Sequence, residues 1–430
     1  MEILISRRKI WTAVFAAGSG NILDIFNIAV YSYFASTIGR QFFPSADPVA
    51  ALMQVFAVYG IGFVMQPLGA IFFGRMAGRR GRKPVLLWTV SLMSIGTIGV
   101  GLIPTYHNIG AIASIALVAL RLVQGFATGG EWGTAATYIV EWAPRENRGF
   151  FGSFQSVSTS GGSLLASLGA TVIAATISPA AVDSWGWRIP FVVGGLAIFM
   201  VSIYLRTHSG ETPEYSQMER EGKAATDYKS PWKLGLKAFG FTIFWTMLSY
   251  MLSSYMVTYV EHEVGLSRHD ALMASNFALL TQMILLPVMG ALSDRVGRKP
   301  LLLFGCFATA ILIYPLMHQM SQAGSLTEVI VLECCIAALY ATFSGPGPAA
   351  ICEIFPTALR SQWMTSGFML AVLVFGGFSP FMSTLLIRLT HSTAAPAFML
   401  APAAVITGIV ILTLESSRRP KALTEAPNLP

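Results

Sequence analysis

The sequence predicts an all-α polytopic membrane protein, with twelve transmembrane helices in two six-helix bundles. Three observations lead there. Charged residues make up 11% of the 430 and hydrophobic residues 54%, whereas a soluble domain carries about 25% charged residues. The apolar residues gather in long unbroken stretches. Two polar patterns recur half a chain apart. The same composition excludes a disordered chain, which needs low hydrophobicity. Four cysteines are too few to build a disulfide-stapled secreted scaffold.

A helix needs roughly 20 mostly apolar residues to cross a bilayer. Six such stretches fall in the first half, at 11–35, 51–73, 85–103, 110–140, 150–178 and 188–206. Six more fall in the second, at 236–260, 271–292, 300–318, 327–352, 362–388 and 394–415. Runs such as 109–120 and 405–414 lack the alternation of a β-barrel strand. The first stretch follows Arg7, Arg8 and Lys9 and encloses Asp24 and Asn27. It is longer than the apolar core of a signal peptide, about 7–15 residues, so it reads as a retained first helix.

Lys and Arg concentrate on the cytoplasmic side of membrane helices. With the N-terminus inside, 23 of the 28 basic residues fall on inward segments. Arg40, Arg188, Arg268 and Arg388 face outward, and Arg121 lies within a span. Both termini are expected in the cytoplasm of a bacterial cell, with the chain in the inner membrane. The net charge of +7 is thus an orientation signal, since a nucleic-acid surface would gather its charge on one face. The expected parts are a bundle over 1–206, a cytoplasmic linker over 207–235, a second bundle over 236–415 and a disordered cytoplasmic tail over 416–430. The linker holds an amphipathic stretch near 212–222.

Internal repeats reveal architecture. The pattern G-R-M-A-G-R-R-G-R-K over 74–83 returns as G-A-L-S-D-R-V-G-R-K over 290–299, an offset of 290 − 74 = 216. E-W-A-P-R-E-N-R over 141–148 returns as E-I-F-P-T-A-L-R over 353–360, an offset of 353 − 141 = 212. Each pair follows corresponding spans of the two halves. Parallel repeats of this kind suggest a transporter that rocks about a central site.

These loops resemble the signature of the major facilitator superfamily. N-I-L-D-I-F-N-I-A-V-Y over 21–31, Q-P-L-G over 66–69, R-L-V-Q-G-F-A-T-G-G-E over 121–131 and W-G-W-R-I-P-F over 185–191 narrow the likeness. They are similar to motifs of its metabolite:proton symporter family, whose members move citrate, tricarballylate, α-ketoglutarate, shikimate, aromatic acids, and betaine or proline. The resemblance implies proton-coupled uptake of a small organic anion by alternating access, a di- or tricarboxylate such as citrate. A compatible solute or an aromatic or shikimate-type acid is the alternative. This chain departs from the pattern at Asn27 and Gly78, where the family has aspartate, at Asp24, where it has glutamate, and at Gln66, where it has arginine. Asp294 of the second loop is intact. Asn27 and Gly78 also keep an uncoupled facilitator or a sensor open.

An ionisable group inside a membrane is costly and marks function. Asp24 and Arg121 lie at similar depth, about 20 and 16 Å along their helices at 1.5 Å per residue. Arg121 is expected to bind a substrate carboxylate, with Asp24 as its partner in the empty site. A fixed structural pair is the competing reading. Asn27 and Tyr31 share the helix face of Asp24. Glu131 is the expected proton carrier beside Asp24, and Glu333 reads as a solvated helix end. Gln155 in the fifth helix, and Trp245, Ser249 and Ser253 in the seventh, are candidate cavity walls. Arg79, Gly81, Arg82, Asp294, Arg295 and Arg298 are expected to gate the cytoplasmic side with Glu141, Arg148, Glu353 and Arg360. Cys306, Cys334, Cys335 and Cys352 form no CxxC, and no HExxH, GxSxG or phosphate-binding loop occurs. No metal, cofactor or enzyme activity is expected. The partners are an organic anion, protons and the lipid bilayer, around a monomer.

Overall fold

The computed structural model describes residues 7–43, 48–220 and 231–414. The expected tail and the middle of the linker lie outside these residues. The described chain is helical, and it fits a twelve-helix fold. The first six spans are Arg7–Tyr33, Pro48–Arg80, Arg82–Leu102, Ala111–Trp142, Arg148–Thr176, and a sixth that enters through wide turns at Val182–Gly186 and Pro190–Gly194 before Gly195–His208. A linker helix, Pro213–Arg220, sits within the stretch expected to be amphipathic.

The seventh span starts at Pro231, earlier than expected, and passes through a π-helical turn at Met251–Tyr255. Then come Arg268–Val296, Arg298–Ser321, and Leu326–Ser344, which is extended by Gly347–Glu353. The eleventh runs from Arg360 to Thr390 with wide turns at Arg360–Met364 and Val372–Gly376. The twelfth is Ala397–Thr413.

Nine of the described helices are long and apolar enough to cross a membrane. The fifth, seventh and twelfth spans are not among them, and the fifth and seventh bring hydroxyl-bearing side chains to the centre of the molecule. Apolar side chains such as Phe72, Ile95, Ile115, Ile284, Ile311 and Phe381 stand exposed on the outside, as a lipid-facing surface requires.

Each repeated loop turns on a glycine with positive φ, Gly81 at 92° and Gly297 at 102°, a backbone region that other residues rarely occupy. The turn ends one helix and starts the next within a single residue. These loops, together with 143–148 and 354–360, cluster at one end of the bundle, called here the basic end. The two halves meet along the fifth and eighth helices and along the second and eleventh.

Candidate transport site and interlock

A cavity lies between the halves. It is lined by Asp24 and Ile28 of the first helix, Gln66 of the second, Thr128 and Trp132 of the fourth and Ser156 and Thr159 of the fifth. The second half adds Trp245, Ser249, Ser253 and Ser254 of the seventh, Tyr340 of the tenth and Phe368 of the eleventh. The wide turn at Met251–Tyr255 places Ser253 and Ser254 on this wall, a use of π turns that recurs at functional sites. A smaller recess adjoins it and shares Asp24, Ile28, Gln66 and Thr128. Arg121, Gln124 and Asn27 line that recess. Thr128 and Gln124 lie i+7 and i+3 from Arg121, so one face of the fourth helix supplies all three.

The polar groups are linked. Arg121 donates to Gln124 Oε1 at 3.0 Å, and its guanidinium stands 3.5 Å over the Tyr31 ring. Gln124 passes its own amide to Asn27 Oδ1 at 3.0 Å and to Thr97 Oγ1 at 3.1 Å. Asp24 accepts from Thr128 Oγ1 at 2.7 Å. Each of the two charges thus has a neutral hydrogen-bond partner, Gln124 for Arg121 and Thr128 for Asp24. Both charges line the smaller recess, and Asp24 also lines the larger.

Three expectations meet a different setting. Glu131 was expected to carry the proton. It is fully buried, ion-paired to Arg206 and bonded by Thr89. Gly20 of the first helix leaves the room: a Cβ there would collide with the Arg206 guanidinium. Gln155 is buried with no hydrogen-bond partner for its side chain, while its carbonyl accepts from Asn21 at 3.1 Å, Ser158 at 2.6 Å and Thr159 at 3.3 Å. Its neighbours Ser156 and Thr159 face the cavity instead. Glu333 is not a solvated helix end but is fully buried.

Trp132 stacks on Phe368 across the two halves at 3.5 Å and 8°, with Trp245 edge-on to Trp132 at 5.5 Å. This aromatic layer separates the cavity from an interlock at the basic end. Glu141 Oε1 accepts from Arg82 at 3.0 Å and from Arg360 at 2.9 Å, and Glu141 Oε2 accepts from Thr212 at 2.6 Å. Arg82 also donates to the Thr357 carbonyl at 3.0 Å. Glu214 of the linker helix pairs with Arg360 at 2.9 Å and with Arg148, and accepts from Thr357 Oγ1 at 3.3 Å. Asp294 accepts from the Gly149 and Phe150 amides at 2.9 Å each, where the fifth helix begins, and pairs with Arg298 at 2.6 Å. Arg298 reaches Glu353 at 3.3 Å.

Most of the residues expected to gate therefore meet. Arg79 and Arg295 do not: both are exposed, and neither appears in an ion pair among the described residues. Only the Arg79 carbonyl is used, by the Tyr215 hydroxyl at 2.9 Å. Sequence reading missed Gln124, Thr128, Trp132, Arg206, Glu211 and Glu214. Helical spacing from Arg121 points to the first three. Nothing local points to Arg206 as a partner of Glu131.

Two paired six-helix halves around a buried polar cavity define a membrane transporter. Residues 12–234 match the Sugar (and other) transporter family, and residues 238–429 match the Major Facilitator Superfamily. The chain belongs to the major facilitator superfamily and is a polytopic membrane transporter, not an enzyme. It is 35% identical to the alpha-ketoglutarate permease of Escherichia coli over 90% of both chains. It is 31% identical to that organism's proline/betaine transporter, over 97% of this chain and 86% of the relative. It is 32% identical to the citrate-proton symporter of Salmonella typhi, over 93% of this chain and 92% of the relative. The fold matches the proton:xylose symporter XylE with a TM-score of 0.76 at 18% identity, over 94% of this chain and 95% of that one.

Proposed function

We propose that this transporter is a proton-coupled symporter of a bacterial inner membrane, acting as a monomer with its basic end in the cytoplasm. It takes up a small molecule bearing one carboxylate. Arg121 holds the carboxylate and Asp24 carries the proton. The observation behind this reading is that Arg121 and Asp24 are the charged side chains lining the two joined recesses. A guanidinium presents a planar fork that matches a carboxylate. Glu131 is the weaker carrier, because a proton there would break a buried pair with Arg206.

The charge balance bears on substrate. One cation beside one carboxylate suits a zwitterion or a monocarboxylate, whose cationic or apolar remainder meets Trp132, Trp245 and Phe368. A tricarboxylate would set three negative charges against one guanidinium. A dicarboxylate is the second reading. It is favoured by the 35% identity to an alpha-ketoglutarate permease and by the Ser249, Ser253 and Ser254 hydroxyls, which can donate to a second carboxylate.

The halves rock about the cavity, and the interlock with the aromatic layer closes the cytoplasmic side. A thermal-shift screen of betaine, proline, α-ketoglutarate and citrate, followed by proteoliposome uptake under an imposed pH gradient, tests the reading. Accumulation driven by the gradient excludes a facilitator or sensor. Arg121→Lys is expected to weaken binding at least about tenfold, equivalent to about 1.4 kcal/mol. Unchanged affinity in that variant would sink the assignment of Arg121.

A further inference from the structure

Glu333 lies on the tenth helix, seven residues before Tyr340. Tyr340 lines the cavity and donates to Ser249 at 3.3 Å. Seven residues is two turns, so the two side chains share a face about 10 Å apart along the axis. Val329, Leu332, Ile336 and Ala337 around Glu333 are buried. Glu333 itself is 0% exposed, and neither carboxyl oxygen has a hydrogen-bond partner. The tenth helix packs chiefly on the eighth and ninth. The Thr281 hydroxyl lies 3.3 Å from Cys334 Sγ and marks the level on the eighth helix.

No charge answers Glu333 from the packed elements. On the eighth helix Arg268, His269, Asp270, Asp294 and Arg295 lie near the ends, three or more turns from Thr281. On the ninth, Gly305 meets Thr342, which places Arg298, Lys299 and Cys306 toward the basic end. Tyr314 is exposed and stacks on Phe398 and His318. On the seventh, Tyr259 donates to the Met317 carbonyl at 3.4 Å, and Tyr255 does not bond to Glu333. Tyr250 lines the cavity, and Lys233 and Lys237 belong to the basic end. The tenth helix itself adds Cys334, Cys335 and, at its start, Glu328. On its extension, Cys352 and Glu353 are beyond Ser344.

A bare carboxylate in such a place is very costly, and the charge is relieved by a counter-ion or a proton. A sodium ion needs several oxygen ligands, as hard cations do, and the groups around Glu333 are apolar. We propose that Glu333 is a second proton-binding site, in the C-terminal half and outside the cavity. Its helix links it to Tyr340 on the cavity wall, so it exchanges its proton when the halves rearrange. This rests on the proton-coupled reading above for its role in transport, though not for the binding itself.

The test uses the full chain and the Glu333→Gln variant, which mimics the protonated carboxyl. In potentiometric titration from mildly acidic to mildly alkaline pH, wild type is expected to release one proton more than E333Q. In proteoliposomes, E333Q is expected to lower the proton-to-substrate ratio by one and to retain substrate counterflow. An equal proton count in the titration, or an unchanged ratio with an unchanged pH profile, overturns the proposal. A sodium dependence of uptake that E333Q abolishes also overturns it. If wild type moves no protons while the titration difference persists, the symport reading fails and the site stands. If E333Q does not fold, wild type still answers. Dicyclohexylcarbodiimide modifies carboxyl groups that hold a proton in apolar surroundings, and mass spectrometry is expected to find Glu333 modified less as pH rises. No modification at any pH overturns the proposal.

Discussion

The loops 74–83 and 290–299 share a sequence pattern and a glycine turn, yet they lock the bundle differently. In the second half, Asp294 accepts two amides where the fifth helix begins and pairs with Arg298. A carboxylate there satisfies unpaired N–H groups and faces the positive end of the helix dipole. In the first half the matching position is Gly78, which has no side chain to offer. Its helix still abuts the start of the eleventh, since a Cβ on Gly74 would stand 2.7 Å from the Gln362 Cα. Acidic contact at that start comes from Glu141, through Arg360, and from Glu214 of the linker, through Thr357 and Arg360. The linker also supplies Glu211, which accepts the Lys83 amide at 3.0 Å, and Thr212, which bonds Glu141. A contact that one half makes within its loop is made in the other by a separate segment of chain.

Four sets of variants can break or sharpen this comparison. The largest effect is expected from Glu141→Ala, which leaves buried Arg82 and Arg360 without their shared carboxylate. Breaking a buried pair costs about 3–5 kcal/mol, to be read as a lowered melting temperature with loss of uptake. Next, Asp294→Ala and Glu214→Ala should each remove charge-assisted hydrogen bonds worth about 1.5–3 kcal/mol. Both should speed thiol labelling of Cys352, a buried residue whose carbonyl is held by Arg360. If Glu214→Ala leaves that labelling rate unchanged, the linker is not a latch. Third, Gly78→Asp should restore slow labelling in the Glu214→Ala background and change little in wild type, within about 0.5 kcal/mol. Failure to restore it would mean the two carboxylates do not occupy equivalent places. The smallest effect is expected for Arg79→Ala and Arg295→Ala, whose exposed side chains should each contribute within about 0.5 kcal/mol. A large loss of uptake in either would give the motif arginines a role the geometry lacks.

Much of this was legible in the sequence, for identifiable reasons. Arg121 and Asp24 stand out because a charge inside an apolar span is rare and costly. Arg82, Glu141, Arg298 and Arg360 stand out because their patterns repeat across the two halves. The Trp245, Ser249 and Ser253 stripe was legible from helical spacing, and all three line the cavity. Other features depend on which helix lies alongside. Arg206 looked like one more basic residue at a helix end, yet it is buried against Glu131, 75 positions away. Gln155 and Ser156 differ by one position, or about 100° around the helix, and only the second faces the cavity.

The sequence by itself determined the membrane-helix class, the two-fold repeat and the short roster of charges available for chemistry. Composition and periodicity are local properties, and a lipid solvent leaves the backbone few other solutions. Tertiary structure alone decided how those charges are shared: Arg121 with Gln124 and Tyr31, Asp24 with Thr128, Glu131 with Arg206, and Glu333 with no bonded partner. Partners among helices are chosen by packing between segments far apart in the chain. A buried charge takes whichever group that packing brings within about 3 Å.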